Sequence, residues 1–397
     1  MGDSITRLGA PLVSNPVPPD TEENRRCGML SELADTGDSL DTGTAAHSAL
    51  LNALRELSSC KQSARAVIDF CRALEASGAF PADANVRETI TGPIMDAVFA
   101  GSTGLRKVLE SGLVYNFDYT SKIARDLLLG EDHPDHVFEP QTTRLLLHLA
   151  RGATHVLIGG AYGGDHALLV AQQIAGKGGI CYAFEPNPEQ INTLRRNAKA
   201  NRLTNIQLIE AGLWSDDCTR LTLVGDDALG RSEPASGAAG SVSGMTINRF
   251  GREHAIKNLD VIMLDIEGSE LQALRGASDY LRQPPGTAPS VIFEVHRRYV
   301  DWSNGLDSTP VVRLLRDHGY QVFAIRDFQS NVDMRRCKIE LVPPHTAYLE
   351  GPPHGFNMLA IKDKQQIAGD LFRVVEGVSP KLLRHRDPAL HYPTEWR

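Results

Sequence analysis

The chain has 397 residues, 42% hydrophobic and 23% charged, with a formal net charge of −8. That length suits one large domain with an accessory region, or two domains, and the composition is globular. The acidic balance argues against nucleic acid as the main partner, because phosphate binding needs a basic face. No apolar run approaches the roughly 18 residues of a membrane span, and the N-terminus lacks a basic-then-apolar signal pattern. The six cysteines form no CxxC pair. They fit reduced thiols, so the expectation is a cytoplasmic protein with no membrane partner and no zinc site.

Residues 1–44 are rich in Asp, Ser, Thr, Gly and Pro without apolar periodicity. They predict a disordered leader, the alternative being a segment that orders on a partner subunit. Residues 45–150 read as an all-helical accessory or cap region. Leu50, Leu51, Leu54 and Leu57 recur at helical spacing, as do Ala64, Ile68, Cys71 and Leu74, with Gly78 and Pro81 as stops. Residues 87–99 and 105–113 predict further short helices. Asp132, His133, Asp135 and His136 are metal-ligand types, but Pro134 and the charge density fit an exposed loop, and the spacing matches no standard ligand pattern. Residues 138–144 open a helix that runs to Ala150; its first-turn N–H groups are suited to an anion.

Residues 151–362 alternate strands and helices. Strands are predicted at 155–159, 180–184, 206–210, 261–265, 291–295, 321–325 and 357–361, and helices at 165–175, 188–200, from 268 to 275 and at 310–318. This βαβ spacing predicts an α/β fold, a Rossmann-like, doubly wound, mainly parallel sheet, with an antiparallel strand at its edge. Residues 211–240 read as irregular, with a mobile Gly/Ser/Ala-rich loop over 230–244. The tail, 363–397, reads as one helix on the surface.

The first strand breaks into Gly159-Gly-Ala-Tyr-Gly-Gly164, and the second ends at Glu185, 25 residues after Gly160. A glycine turn lets backbone approach a ligand, and an acid roughly 20 residues on accepts hydrogen bonds from ribose hydroxyls. The other reading of Glu185 is a cap for the following helix. The turn is not the strict GxGxxG of dinucleotide folds. Gly160-x-x-x-Gly164 better fits the looser turn of S-adenosylmethionine-dependent methyltransferases, of class I type.

Four ordered motifs then carry a family resemblance: Phe184-Glu-Pro-Asn-Pro-Glu-Gln-Ile-Asn-Thr-Leu-Arg-Arg-Asn197, Ala211-Gly-Leu-Trp-Ser-Asp216, Thr246-Ile-Asn-Arg-Phe250 and Leu264-Asp-Ile-Glu-Gly-Ser-Glu-Leu271. Over about residues 150–362 the chain resembles the FkbM-type methyltransferases. The resemblance implies a S-adenosylmethionine-dependent O-methyltransferase acting on hydroxyls of sugars or secondary metabolites, as in antibiotic biosynthesis. The chain departs from the family where Ile158 replaces a usual acid, in the Gly163-Gly-Asp-His166 turn, and in its N-terminal region. With Ile158 apolar, Glu139 is the candidate acceptor for the cofactor's amino group.

The cofactor-binding candidates are therefore Glu139, Gly160, Tyr162, Gly164, Glu185 and Asp265. Methyl transfer to oxygen needs alignment and removal of a hydroxyl proton. His296 is the candidate base, because imidazole titrates near neutrality; its other reading is a satisfied loop histidine. Asp265 would orient it, touch the substrate hydroxyl, or hold a divalent metal such as magnesium with a neighbour, and Asp165 and His166 could face the same crevice. No tight ligand spacing demands a metal. Glu270 reads as a charge at a helix N-terminus. Arg297, Arg298, Tyr299 and Trp302 form either a cationic and aromatic wall or a surface loop. Tyr115, Phe117 and Tyr119 are candidates for the opposite wall, and Thr120 and Ser121 for the cofactor's carboxylate. The partner is a small hydroxylated molecule, in a homo-oligomeric enzyme. An NAD(P)-dependent oxidoreductase and a non-catalytic nucleotide-binding scaffold protein are the competing readings.

Overall fold

The structure is a computed structural model that describes residues 52–53, 55–57, 60–224, 231–235, 241–350 and 355–396. The leader expected over 1–44, with Leu50, Leu51 and Leu54, lies outside the described residues. Helix α1 (Lys61–Ala76) buries Ile68 and Cys71, and Gly78 ends it at φ +64°. Helix α2 (Gly92–Phe99) continues a π-turn over Arg87–Thr91.

The region is not all-helical. Strands β1 (Leu105–Val108) and β2 (Val114–Phe117) pair as an antiparallel hairpin, with Leu105 opposite Phe117. The apolar period over 114–119 is two: Tyr115, Phe117 and Tyr119 are all buried. Gly112 turns the hairpin at φ +80°, a conformation that favours glycine and that a helix over 105–113 would not use. Helices α3 (Lys122–Leu129) and α4 (Pro140–Leu149) follow.

Next come β3 (His155–Gly159), α5 (Ala167–Ile174), β4 (Ile180–Phe184), α6 (Pro188–Ala200) and β5 (Ile206–Ile209). Three of these bounds coincide with the periodicity of the sequence, because β3 and β4 are short apolar runs and α6 has Asn187 as a cap and Pro188 at its start. The Asn187 side chain accepts from the Glu189 N–H at 2.9 Å. Asn197, buried on α6, holds β2 through the Asn116 backbone at 2.8 and 3.0 Å.

The stretch expected to be irregular is a small sheet. Strands β6 (Gly212–Leu213), β7 (Arg220–Val224), β8 (Arg231–Pro234) and β9 (Ser241–Met245) assemble in the order β6-β9-β7-β8. Alternation is weak along these strands, so backbone pairing and not apolar pattern builds them. Part of the loop expected to be mobile, 236–240, lies outside the described residues.

Helix α7 (Ile247–Glu253), β10 (Val261–Leu264), α8 (Glu270–Arg275), α9 (Ser278–Leu281), β11 (Ser290–His296), α10 (Pro310–Asp317), β12 (Gln321–Ile325), β13 (Ile339–Val342), β14 (Gly355–Ile361), β15 (Phe372–Val374) and α11 (Pro388–His391) complete the chain. The large sheet has nine strands in the order β15-β13-β12-β14-β11-β10-β3-β4-β5. From β5 to β11 all neighbours are parallel. Antiparallel β14 lies inside the sheet, between β11 and β12, and not at the edge. The architecture is α/β and Rossmann-like: Val156 and Ile158 enter one core layer while Leu157 enters the other, so the strand is apolar on both faces.

The tail is not one surface helix. Its β15 pairs in parallel with β13, and neither strand was evident in the sequence. No helix among the described residues is long and apolar enough to cross a membrane.

Candidate active site

The chain runs β3, β4, β5 to one side and then returns to place β10 on the other side of β3. That reversal opens a crevice at the carboxyl ends of the strands, where ligands bind in such sheets. A cavity of about 270 Å³ lies there. The ends of β3, β4, β10 and β11 form its floor, and Leu213 and Ser232 of the small sheet close one side.

The glycine turn is shaped by close approach. Gly160 has φ +76°, and a Cβ on it would stand 1.7 Å from the Asp265 carbonyl oxygen. Tyr162 follows at φ +44°, which aims its N–H at Glu185 Oε2, 2.8 Å away. The Asn187 N–H donates to Oε1 at 2.9 Å. Two backbone donors thus fix the carboxyl at the tip of β4, and a carboxylate retains further lone pairs for a ligand. Burial pushes Glu185 up to about 7. Gly160, Tyr162 and Glu185 line the cavity, but Gly164 does not. At φ +98° it packs on helices: a Cβ would meet Leu194 at 2.5 Å. Its glycine serves packing between α5 and α6, not ligand approach.

Glu139 lines the cavity from the start of α4, at φ +50°. It accepts from Asn357 Nδ2 at 2.7 Å. Burial first, then the Asp265 charge, holds its carboxyl well above the usual range. Asp165 reaches the cavity and His166 does not. The His166 ring is buried, with Nδ1 3.2 Å from Asp165. Burial opposes its charge, yet Asp165, Glu139 and Asp265 outweigh it and raise it to about 9. The surrounding acids thus favour the charged form of His166 under the cavity.

The other end of the cavity is acidic. Asp265, Glu267 and Glu294 each present an oxygen within 4.8 Å of the others. Burial raises Asp265 to about 6 and Glu267 to about 8, and it carries Glu294 well above the carboxylate range. Glu270 is a cap: it accepts from the Ile266 and Gly268 N–H groups at 3.0 and 3.2 Å.

His296 lines the cavity beside these acids. Its Nδ1 accepts from the Arg298 N–H at 3.0 Å. Nδ1 is thereby occupied and is not open to act as the base the sequence predicts. Tyr115, Phe117 and Tyr119 are core residues of the hairpin and do not line the cavity. Arg297, Arg298, Tyr299 and Trp302 are not lining residues either; Trp302 packs on Phe356 at 5.5 Å. Thr120 and Ser121 stop short, although Lys122 and Ile123 next to them line the cavity. In the 132–136 loop Asp132 pairs with Arg65 and Arg72, and His136 with Asp135. The anion site expected at α4 is filled from within: the Gln141 and Thr142 N–H groups donate to Asp327 at 3.0 and 2.7 Å. Gln329 and Gly355 line the cavity from late in the chain, with no sequence signal to mark them.

These shifts predict a pH dependence. Seven acids, Glu185 and Asp327 among them, have raised values. The folded chain holds their protons more tightly than the unfolded chain. Their stabilisation is complete below about pH 4, the unfolded carboxylate range, and is lost as pH rises through the folded values. His148 and His385, lowered by burial, act oppositely, but they are two against seven. The melting temperature without ligands should fall from pH 5 to pH 8. A rise over that range in scanning calorimetry would contradict this account.

Sheet order, crevice and lining define a Rossmann-like domain of class I methyltransferase type. Residues 159–322 match the family model described as the methyltransferase FkbM domain. No curated protein matches the chain. Among solved structures, it is similar to methyltransferase FkbM from Methylobacillus flagellatus KT at 20% identity, TM-score 0.25, covering 36% of this chain and 33% of that one. Precorrin-6y C5,15-methyltransferase from Geobacter metallireducens GS-15 is similar at 14% identity, TM-score 0.30, covering 56% and 89%. An O-methyltransferase from Bacillus cereus, in complex with SAH, is similar at 15% identity, TM-score 0.31, covering 56% and 80%.

Proposed function

We propose that the cavity binds S-adenosylmethionine and that the protein methylates a hydroxyl oxygen of a small metabolite. The acceptor class is a sugar moiety or glycosylated natural product, as in secondary-metabolite biosynthesis. The observation that carries the reading is Glu185, held by two backbone N–H groups at the tip of β4 and open to the cavity beside the Gly160 turn. Such a carboxylate suits two ribose hydroxyls. Glu139 is the proposed acceptor for the cofactor's amino group, and Gly160 and Tyr162 admit it to the floor.

Bound there, S-adenosylmethionine would supply a methyl group already activated on a sulfonium. The chain's own residues then need only orient the acceptor and take its proton. With Nδ1 of His296 occupied, we assign proton removal to the carboxylate of Asp265, the least raised of the three acids at about 6, and give His296 the role of orienting the acceptor. Those acids would also accept a divalent cation. The homo-oligomer and cytoplasmic location expected from the sequence stay part of this proposal.

Thermal-shift and calorimetric titrations test it. S-adenosylhomocysteine should raise the melting temperature, and NADH should leave it unchanged. Stabilisation by NADH alone would favour an oxidoreductase, and no response to either ligand would favour a scaffold.

A further inference from the structure

We propose that Asp265, Glu267 and Glu294 form a binding site for one hard divalent cation, such as magnesium or manganese. Ligands across such an ion are separated by about 4–5 Å, twice a metal–oxygen bond of roughly 2.0–2.6 Å. The three carboxylates bring one oxygen each within 4.8 Å of the others, so an ion fits with little movement. All the donors are oxygens, which selects a hard ion over zinc or copper.

A second observation points to a ligand. Glu294 is 7% exposed, and its Oε2 is buried without a hydrogen-bond partner. A buried polar atom left unpaired is costly, more so if charged, so this geometry favours a ligand that meets it. The neighbouring strand leaves it room. Gly355 of β14 stands opposite His296 of β11, and a Cβ there would come 2.3 Å from Glu294 Oε1. The turn that carries Glu267 is fixed by left-handed backbone at Glu267 and Gly268, φ +51° and +96°, and by the Glu270 cap on the same turn.

Three protein ligands leave positions open toward the cavity, where an acceptor hydroxyl would bind and become more acidic. A carboxylate oxygen not bound to the ion would receive its proton. That role rests on the methyltransferase reading; the binding of the ion does not.

The test uses full-length protein freed of metal with a chelator. Calorimetry with magnesium, manganese and calcium chlorides, and the loss of free manganese signal in electron paramagnetic resonance, read binding without cofactor. One ion per chain is expected. Glu294→Gln and Glu267→Gln should each weaken it by at least about tenfold. Both replace a carboxyl of a crowded cluster with a neutral amide of the same shape, so their melting temperatures without ion should not fall below that of wild type. Failure of all three ions to bind at millimolar concentration, or unchanged binding in both variants, overturns the proposal. S-adenosylhomocysteine is titrated in parallel. If the ion binds and that ligand does not, the methyltransferase reading fails while the metal site stands. If the ligand binds and no ion does, the acids instead serve the cationic groups of the cofactor.

Discussion

Glu185→Ala is expected to weaken S-adenosylhomocysteine binding by a hundredfold or more. Its carboxyl is immobilised by the Tyr162 and Asn187 N–H groups, so no ordering cost falls on it when ligand arrives. Two hydrogen bonds from ribose hydroxyls to a charged acceptor contribute about 1.5–3 kcal/mol each, and every 1.4 kcal/mol is tenfold in affinity. The substitution also leaves two backbone donors without their acceptor at the edge of the cavity. Because burial raises Glu185 to about 7, wild-type affinity should strengthen from pH 6 to pH 8 as the carboxylate forms, and Glu185→Ala should lose that slope. Isothermal titration of both proteins across this range checks it. An affinity within threefold of wild type would remove Glu185 from the ribose site and leave it as a brace for the turn.

Arg326→Met should destabilise the protein by about 3–5 kcal/mol, the cost of breaking a buried ion pair from one side. Arg326 is fully buried after β12 and pairs with Glu340 of β13. Its remaining donors reach the Ser379, Leu390 and Tyr392 carbonyls at 2.8, 2.8 and 2.9 Å. The fork of one guanidinium therefore ties the tail to the sheet, and lysine could not reproduce it. Methionine fills similar volume but leaves the Glu340 charge with only its Thr394 donors and deprives three carbonyls of their partner. The effect should reach the cavity as well. Asp327, the next residue, caps α4 through Gln141 and Thr142, and Glu139 precedes that helix. Urea unfolding measures the loss. A loss below about 1 kcal/mol would mean that the tail is held by its apolar contacts instead.

The parts of the fold legible in the sequence share one property: their own residues decide them. Strands 155–159 and 180–184 are short apolar runs, and helix 188–200 carries Asn187 and Pro188 at its start. In a two-face-buried sheet such signals are undiluted. Glu185, Gly160 and Asp265 were legible for the same reason, since each ends a strand of a sheet whose ligand side follows from its topology.

Contacts distant in sequence decided the rest. The hairpin at 105–117 exists because β2 hydrogen-bonds Asn197 on α6, and β13 and β15 exist because each completes the other's backbone pairing. The small sheet over 212–245 depends on pairing and not on apolar pattern. Gly164 looked like a ligand glycine because the spacing of a turn does not say which side of it faces a helix. His296 read as a base because the backbone donor that occupies its Nδ1 lies in a loop of no periodic pattern.

Sequence by itself determined the α/β class, the parallel centre and the acid-tipped strands, since period and strand-end chemistry are local. Only the tertiary structure decided which acids meet. Asp265 and Glu267 come from the end of β10 and Glu294 from β11, and Gly355 of β14 opens the space among them. Their mutual repulsion arises from that meeting, which no local pattern records.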